Sequence, residues 1–115
     1  MSILLIEEIQ EKVIQVANKY DIPRVYLFGS YARNTATEES DVDLVIDSSH
    51  IADHSILYDI EQELEEELKC HVDIIEYEIL TNNNTDKRKI FNSNVRKEMI
   101  AILWIGLERE NGNNW

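Results

Sequence analysis

Residues 41–47 read Asp-Val-Asp-Leu-Val-Ile-Asp, and their alternation constrains the fold more than any other stretch of the chain. Successive side chains of an extended strand point to opposite faces, so Val42, Leu44 and Ile46 fall on one face and Asp41, Asp43 and Val45 on the other. A strand over Asp41–Asp47 is therefore expected to bury one side against a core while the other carries two carboxylates. A second strand is expected at Arg24–Phe28, a short branched and aromatic run introduced by Pro23 and ended by the turn Gly29-Ser30. Val72–Tyr77 is the third candidate, with Asp73, Ile75 and Tyr77 on one face and Val72, Ile74 and Glu76 on the other.

Helical periodicity separates these strands. Ile6, Ile9, Val13, Val16 and Tyr20 recur at steps of three and four and predict a helix over about 4–20. Leu57, Ile60, Leu64 and Leu68 predict another over about 55–69, whose opposite face carries Asp59, Glu61, Glu63, Glu65, Glu66 and Glu67 as a solvated acidic surface. Residues 31–40 read as a short helical turn and a polar loop, and Thr81–Thr85 as a loop. Ile90, Phe91, Val95, Met99, Ile102 and Leu103 fit a helical period, but Ile100–Ile105 equally fits a short apolar strand. Glu110–Trp115 is polar, and fraying is expected there.

The chain has 115 residues, 43% of them apolar, which suits one core. It shows no apolar stretch of membrane-spanning length and no secretory leader, so a soluble cytoplasmic protein is expected. The single cysteine, Cys70, has no partner for an internal disulfide and reads as a half-buried thiol. Eleven Lys and Arg against 23 Asp and Glu give a net charge of −12, which disfavours direct nucleic-acid binding because such binding rests on neutralising phosphates. Lys87, Arg88, Lys89, Arg96 and Lys97 nevertheless leave room for a local basic surface.

The chemistry concentrates in Gly29-Ser-Tyr-Ala-Arg33 and, ten residues after Ser30, in Asp41-Val-Asp43. Two carboxylates on one strand face stand roughly 7 Å apart at their Cα atoms. Their repulsion costs on the order of 2 kcal/mol at an effective dielectric near 20, so a cation between them is favourable. Magnesium fits, since it takes one or two carboxylate oxygens and fills its shell with water and phosphate oxygens. Gly29 allows close backbone approach, and its neighbouring amides with the Ser30 hydroxyl suit phosphate oxygens. The bland alternative is a solvent-facing pair of aspartates beside an ordinary turn. His50, His54 and His71 show no zinc-ligand spacing and read as ordinary residues.

This combination, Gly29-Ser-Tyr-Ala-Arg33 followed by Ser40-Asp-Val-Asp-Leu44, resembles the minimal nucleotidyltransferases of the DNA polymerase β superfamily, and the order of elements over about residues 3–105 agrees. The resemblance implies an α/β (α+β) fold with a polymerase-β-like core, a small mixed sheet flanked by helices, filling a nucleotidyltransferase domain over 1–108 before a polar tail at 109–115. It implies that Asp41 and Asp43 hold two Mg2+ ions, that Asp73 completes the metal site and helps deprotonate the acceptor hydroxyl, and that Gly29 and Ser30 contact ATP. As a lone strand aspartate, Asp73 reads equally as a surface residue. Arg33 is a phosphate ligand or a surface arginine, and Tyr31 a packing residue. Asn34 stands where the family usually has glycine, and asparagine tolerates the left-handed backbone that such a turn needs.

Larger relatives carry a second, helical domain for which this length leaves no residues, so the acceptor is expected from outside. Minimal members pair with HEPN RNase toxins, and the resemblance implies an antitoxin that transfers AMP from ATP to a tyrosine of such a partner, in a hetero-oligomer or also as a homodimer. The net acidity suits a basic, RNA-cutting partner. Two other readings stay open: transfer to a small molecule or RNA end, and a non-catalytic antitoxin that masks its partner. An exposed apolar patch on Ile100–Ile105, including Trp104, is expected to serve association.

Overall fold

The three expected strands are present, and the apolar run at Ile100–Trp104 adds a fourth. The computed structural model describes residues 3–104. Its elements, in chain order, are α1 (Ile6–Lys19), β1 (Arg24–Phe28), α2 (Gly29–Ala32), β2 (Val42–Ile46), α3 (Ser55–Leu68), β3 (Val72–Glu76), a 3-10 turn (Tyr77–Thr81), α4 (Asp86–Glu98) and β4 (Ile100–Trp104). The strands form one sheet in the order β3-β2-β1-β4. β1 pairs antiparallel with both β2 and β4, whereas β2 and β3 run parallel, joined by the α3 crossover.

The alternation in residues 41–47 divides the molecule into two layers. Val42, Leu44 and Ile46 join Val25, Leu27, Val72 and Ile102 in the main core, against Ile9, Val13 and Val16 of α1 and Ile60, Leu64 and Leu68 of α3. Val45 faces the other way, into a smaller cluster with Tyr26, Leu80 and Val95 that seats the 3-10 turn and α4. Asp41 and Asp43 share the parity of Val45 and so belong to the α4 side of the sheet.

Local chemistry sets the ends of the elements. The Glu8 carboxylate accepts from the Leu5 amide at 2.9 Å at the start of α1, and Thr85 Oγ1 accepts from the Arg88 amide at 3.0 Å at the start of α4. α3 ends on Lys69 with φ 58°, its amide donating to the Glu65 carbonyl at 2.8 Å. At the far end of β2 from the two aspartates, Arg24 Nε donates to Asp47 Oδ2 at 2.8 Å. Burial works against ionisation of Asp47, but donors from Ser49 and Arg24 outweigh it and hold the pKa below the ordinary carboxylate value.

Several expectations change. Of the two readings open for the C-terminal apolar run, the strand holds at Ile100–Trp104 as β4, and the helical period holds only as far as Glu98, where α4 closes. Of the apolar patch expected there, Ile102 is buried in the main core and Ile100 is exposed, while the side chain of Trp104 and the whole of Ile105 lie outside the described residues. Exposed apolar side chains also lie at Ile90 and Phe91 on α4 and at Leu5 before α1. The acidic face of α3 is only partly solvated: Glu63 binds Lys19 and the Tyr20 hydroxyl, and Glu67 binds Lys12, tying α3 to α1. Ile105, the 108/109 domain boundary and the tail at 109–115 lie outside the described residues. Among the described residues no helix is long and apolar enough to cross a membrane.

Candidate active site

The β1–β2 register places Phe28 opposite Asp43, so the chain leaving β1 turns directly over that carboxylate. Gly29 makes the turn with φ +76°, and a Cβ on it would overlap Asp43 Oδ2 and crowd the rest of the carboxyl group. Only glycine meets both demands, the left-handed backbone and the close approach. The sequence predicts a simple Gly-Ser turn here; Gly29 in fact opens the one-turn helix α2. Amides at its end close the turn, Arg33 onto the Gly29 carbonyl at 3.0 Å and Thr35 onto the Ser30 carbonyl at 2.9 Å. Asn34 adopts φ 62°, the left-handed conformation expected of it in place of glycine. Tyr31 is buried in the main core as a packing residue, and its hydroxyl accepts from the Leu4 amide at 3.3 Å.

The parallel β2–β3 register pairs Asp43 with Asp73, and Asp41 stands immediately before β2. The three aspartates expected from the sequence therefore meet at one corner of the sheet. Burial, reinforced by the nearby charges of Asp73 and Asp41, pushes the Asp43 pKa up to about 6, while Arg33 pulls weakly the other way. The protein thus holds a carboxylate that a proton or a cation would relieve. Hard oxygen donors under mutual repulsion fit a divalent metal ion.

A cleft of about 370 Å³ opens beside this corner, lined by Gly29, Ser30, Arg33 and Asp43 on one side and by Phe91, Asn94 and Glu98 of α4 on the other. Arg33 Nη1 donates to Glu98 Oε1 at 3.0 Å across its mouth, and both side chains are partly solvated. The α4 wall is invisible to motif reasoning, because residues 91–98 carry no motif and reach the cleft only through the second core layer. All five residues of the expected basic surface, Lys87, Arg88, Lys89, Arg96 and Lys97, lie on α4.

His71, which reads as an ordinary residue in the sequence, lies at the same corner. Its Nε2 lies 3.0 Å from Asp73 Oδ1 and its Nδ1 lies 2.8 Å from Glu65 Oε2. Burial disfavours the imidazolium, but Asp73, Asp41 and Glu65 outweigh it and raise the pKa. Potential ligand atoms of Asp41, His71 and Asp73 all lie within 4.8 Å of one another. The sequence signal was present in His71-Val-Asp73, where period two sets both residues on one side, but Asp41 joins them only through strand pairing.

Likeness to known proteins bears on the fold that carries this corner. Residues 11–96 match the family described as polymerase beta, nucleotidyltransferase. A Methanocaldococcus jannaschii protein provisionally named protein adenylyltransferase MJ0435 is 38% identical over 72 residues, covering 63% of this chain and 77% of that protein. The protein adenylyltransferase MntA of Thermococcus cleftensis is 30% identical over 79 residues, covering 65% of this chain and 80% of MntA. Among solved structures, a chain of a toxin–antitoxin crystallised with AMP-PNP superposes with a TM-score of 0.66 at 20% identity, covering 88% of this chain and 77% of that one. A chain from the complex of a tri-AMPylated Shewanella oneidensis HEPN toxin with its MNT antitoxin gives 0.61 at 17% identity, covering 90% and 76%. At these identities the structural likeness establishes the fold.

Proposed function

Since the chain belongs to the polymerase beta nucleotidyltransferase family, we propose that it is an antitoxin with protein adenylyltransferase activity, moving AMP from ATP to a tyrosine of a cognate HEPN RNase toxin. The observation that carries this reading is the packing of Asp43 against Gly29, with Asp73 in register beside it and a cleft of about 370 Å³ in front. Relatives named protein adenylyltransferase, and solved relatives of the same fold in complexes with toxins, supply the acceptor class.

In this reading Asp41, Asp43 and Asp73 hold two Mg2+ ions, Gly29 and Ser30 seat the triphosphate, and Arg33 leaves Glu98 to contact a phosphate. Bound Mg2+ supplies charge neutralisation at the α-phosphate and acidifies the acceptor hydroxyl. Asp73 accepts the tyrosine proton, the phenolic oxygen bonds to the α-phosphorus, and the bond to the β-phosphate breaks to release pyrophosphate. The α4 wall confines the nucleotide so that acceptor and leaving group stay in line. The domain spans 1–108, the reaction takes place in the cytoplasm where ATP and toxin meet, and the complex with the toxin is a hetero-oligomer.

The test is transfer of label from α-labelled ATP with Mg2+ into the proteins of the source cell, wild type against Asp43→Asn. A labelled small helical protein, lost with the variant, supports the reading and identifies the partner. If neither form labels any protein while both still bind such a partner, the chain masks its toxin by contact alone.

A further inference from the structure

His71 has no part in the reaction as set out above, yet it faces the carboxylates that carry it. Its ring is held in a defined orientation: Nδ1 is 2.8 Å from Glu65 Oε2, and the same Glu65 oxygen accepts from the Val72 amide at 3.0 Å. A carboxylate on Nδ1 keeps the proton on that nitrogen whenever the ring is neutral, which leaves Nε2 as the nitrogen able to ligate a cation. That atom points at Asp73, 3.0 Å from Oδ1. The His71 carbonyl accepts from the Val42 amide at 3.0 Å, so the backbone bearing the imidazole is stitched to the start of β2 next to Asp41.

Ligand atoms of Asp41, His71 and Asp73 lie mutually within 4.8 Å. Around an octahedral ion with arms of about 2.1 Å, neighbouring ligands are about 3 Å apart and opposite ones about 4.2 Å, so all three can share one ion after small side-chain adjustments. Glu65, His71 and the ion then form the carboxylate–histidine–metal arrangement in which an outer carboxylate orients the ring and strengthens it as a donor.

We propose that His71 Nε2 is a direct ligand of the metal ion shared with Asp41 and Asp73, that Glu65 orients it, and that this nitrogen raises the affinity of the site for Mn2+ relative to Mg2+. Magnesium prefers oxygen donors, whereas imidazole suits first-row transition ions, so one nitrogen among carboxylates shifts selectivity in that direction. The proposal rests on the carboxylate metal site of the proposed function and adds to it a ligand and a preference.

The experiment adds Mn2+ to the full chain without nucleotide and records pulsed EPR, with Mn2+ and competing Mg2+ titrations of wild type, His71→Gln and Glu65→Gln. The expected result is a nitrogen-14 coupling in the wild type that His71→Gln abolishes. Mn2+ binding should weaken about tenfold or more in both variants, with less than about threefold change for Mg2+. Bound Mn2+ without nitrogen coupling in the wild type overturns the proposal and leaves the carboxylate site intact. No Mn2+ binding by the wild type overturns both. The wild-type spectrum decides the matter even if a variant fails to fold.

Discussion

Asp43 occupies the space that any side chain at position 29 would need, so Gly29 and Asp43 are a single steric unit across two antiparallel strands. Gly29→Ala must either rotate Asp43 out of the corner or lift the turn. A Cβ at φ +76° adds backbone strain. Expected outcomes are a loss of about 1–3 kcal/mol in urea unfolding and a fall in AMP transfer of about a hundredfold, since displacing a reacting group by about 1 Å costs that much. A variant with wild-type transfer would show that the close approach is not needed for function.

The raised pKa of Asp43 makes a signed prediction for the metal-free protein. The folded pKa of about 6 lies above the ordinary value of 3.8, so this group's favourable contribution is full below about pH 4 and is lost as pH rises through 6. The melting temperature of the wild type should therefore fall relative to Asp43→Asn between pH 4 and pH 7. Adding Mg2+ should restore it at pH 7.5 more than at pH 5, because the ion competes with the proton for the same oxygens. Thermal melts at the two pH values, with Mg2+ and with chelator, read both effects. A Mg2+ shift that is equal at the two pH values would count against Asp43 as the group involved.

Arg33 spans the mouth of the cleft to Glu98, with its side chain 49% exposed. A pair this solvated contributes little, so Arg33→Ala should change stability by less than about 0.5 kcal/mol. If the guanidinium serves a phosphate of ATP, the same variant should raise the KM for ATP by about tenfold, equivalent to about 1.4 kcal/mol. Steady-state kinetics over a range of ATP concentrations checks this, and an unchanged KM assigns Arg33 to the surface.

Asp47 gives the opposite pattern. It is 6% exposed and ion-paired with Arg24, just past the end of β2 and four residues on from Asp43. Asp47→Ala should cost about 1–3 kcal/mol, less than a fully buried pair because Arg24 keeps some solvent contact. AMP transfer at low temperature should be unchanged. Its lowered pKa means that this contribution holds above the ordinary carboxylate range and fades as pH falls through the folded value, so the variant and wild type should converge in acid melts.

Much of this architecture is legible in the sequence because β2 advertises both of its faces. Val42, Leu44 and Ile46 lie in the main core and Val45 in the second layer, as period two requires. Arg24–Phe28 is bounded in the structure as Pro23 and Gly29 predict, and Asn34 takes the left-handed turn. The boundary between α4 and β4 is not legible, because Ile100, Ile102 and Leu103 satisfy a helix and a strand alike, and only pairing with β1 decides between them. The meeting of Asp73 with Asp43 is set by the β2–β3 register, which no local pattern encodes. The surroundings of His71 are hidden for the same reason: they are Glu65 on a helix, Asp73 two residues on, and Asp41 thirty residues back.

The second layer that seats α4 has a consequence for how the protein behaves before it meets a nucleotide. Among the described residues its buried apolar cluster is four, Tyr26, Val45, Leu80 and Val95, against seventeen on the α1/α3 side. Cooperative units with less buried apolar contact open at lower free energy than the rest of a domain. Amide hydrogens of α4 should therefore exchange faster than those of α1 and α3, and a nucleotide gripped between α2 and α4 would act as the missing part of that layer's core. Ligand occupancy and local folding of the C-terminal helix would then be one equilibrium.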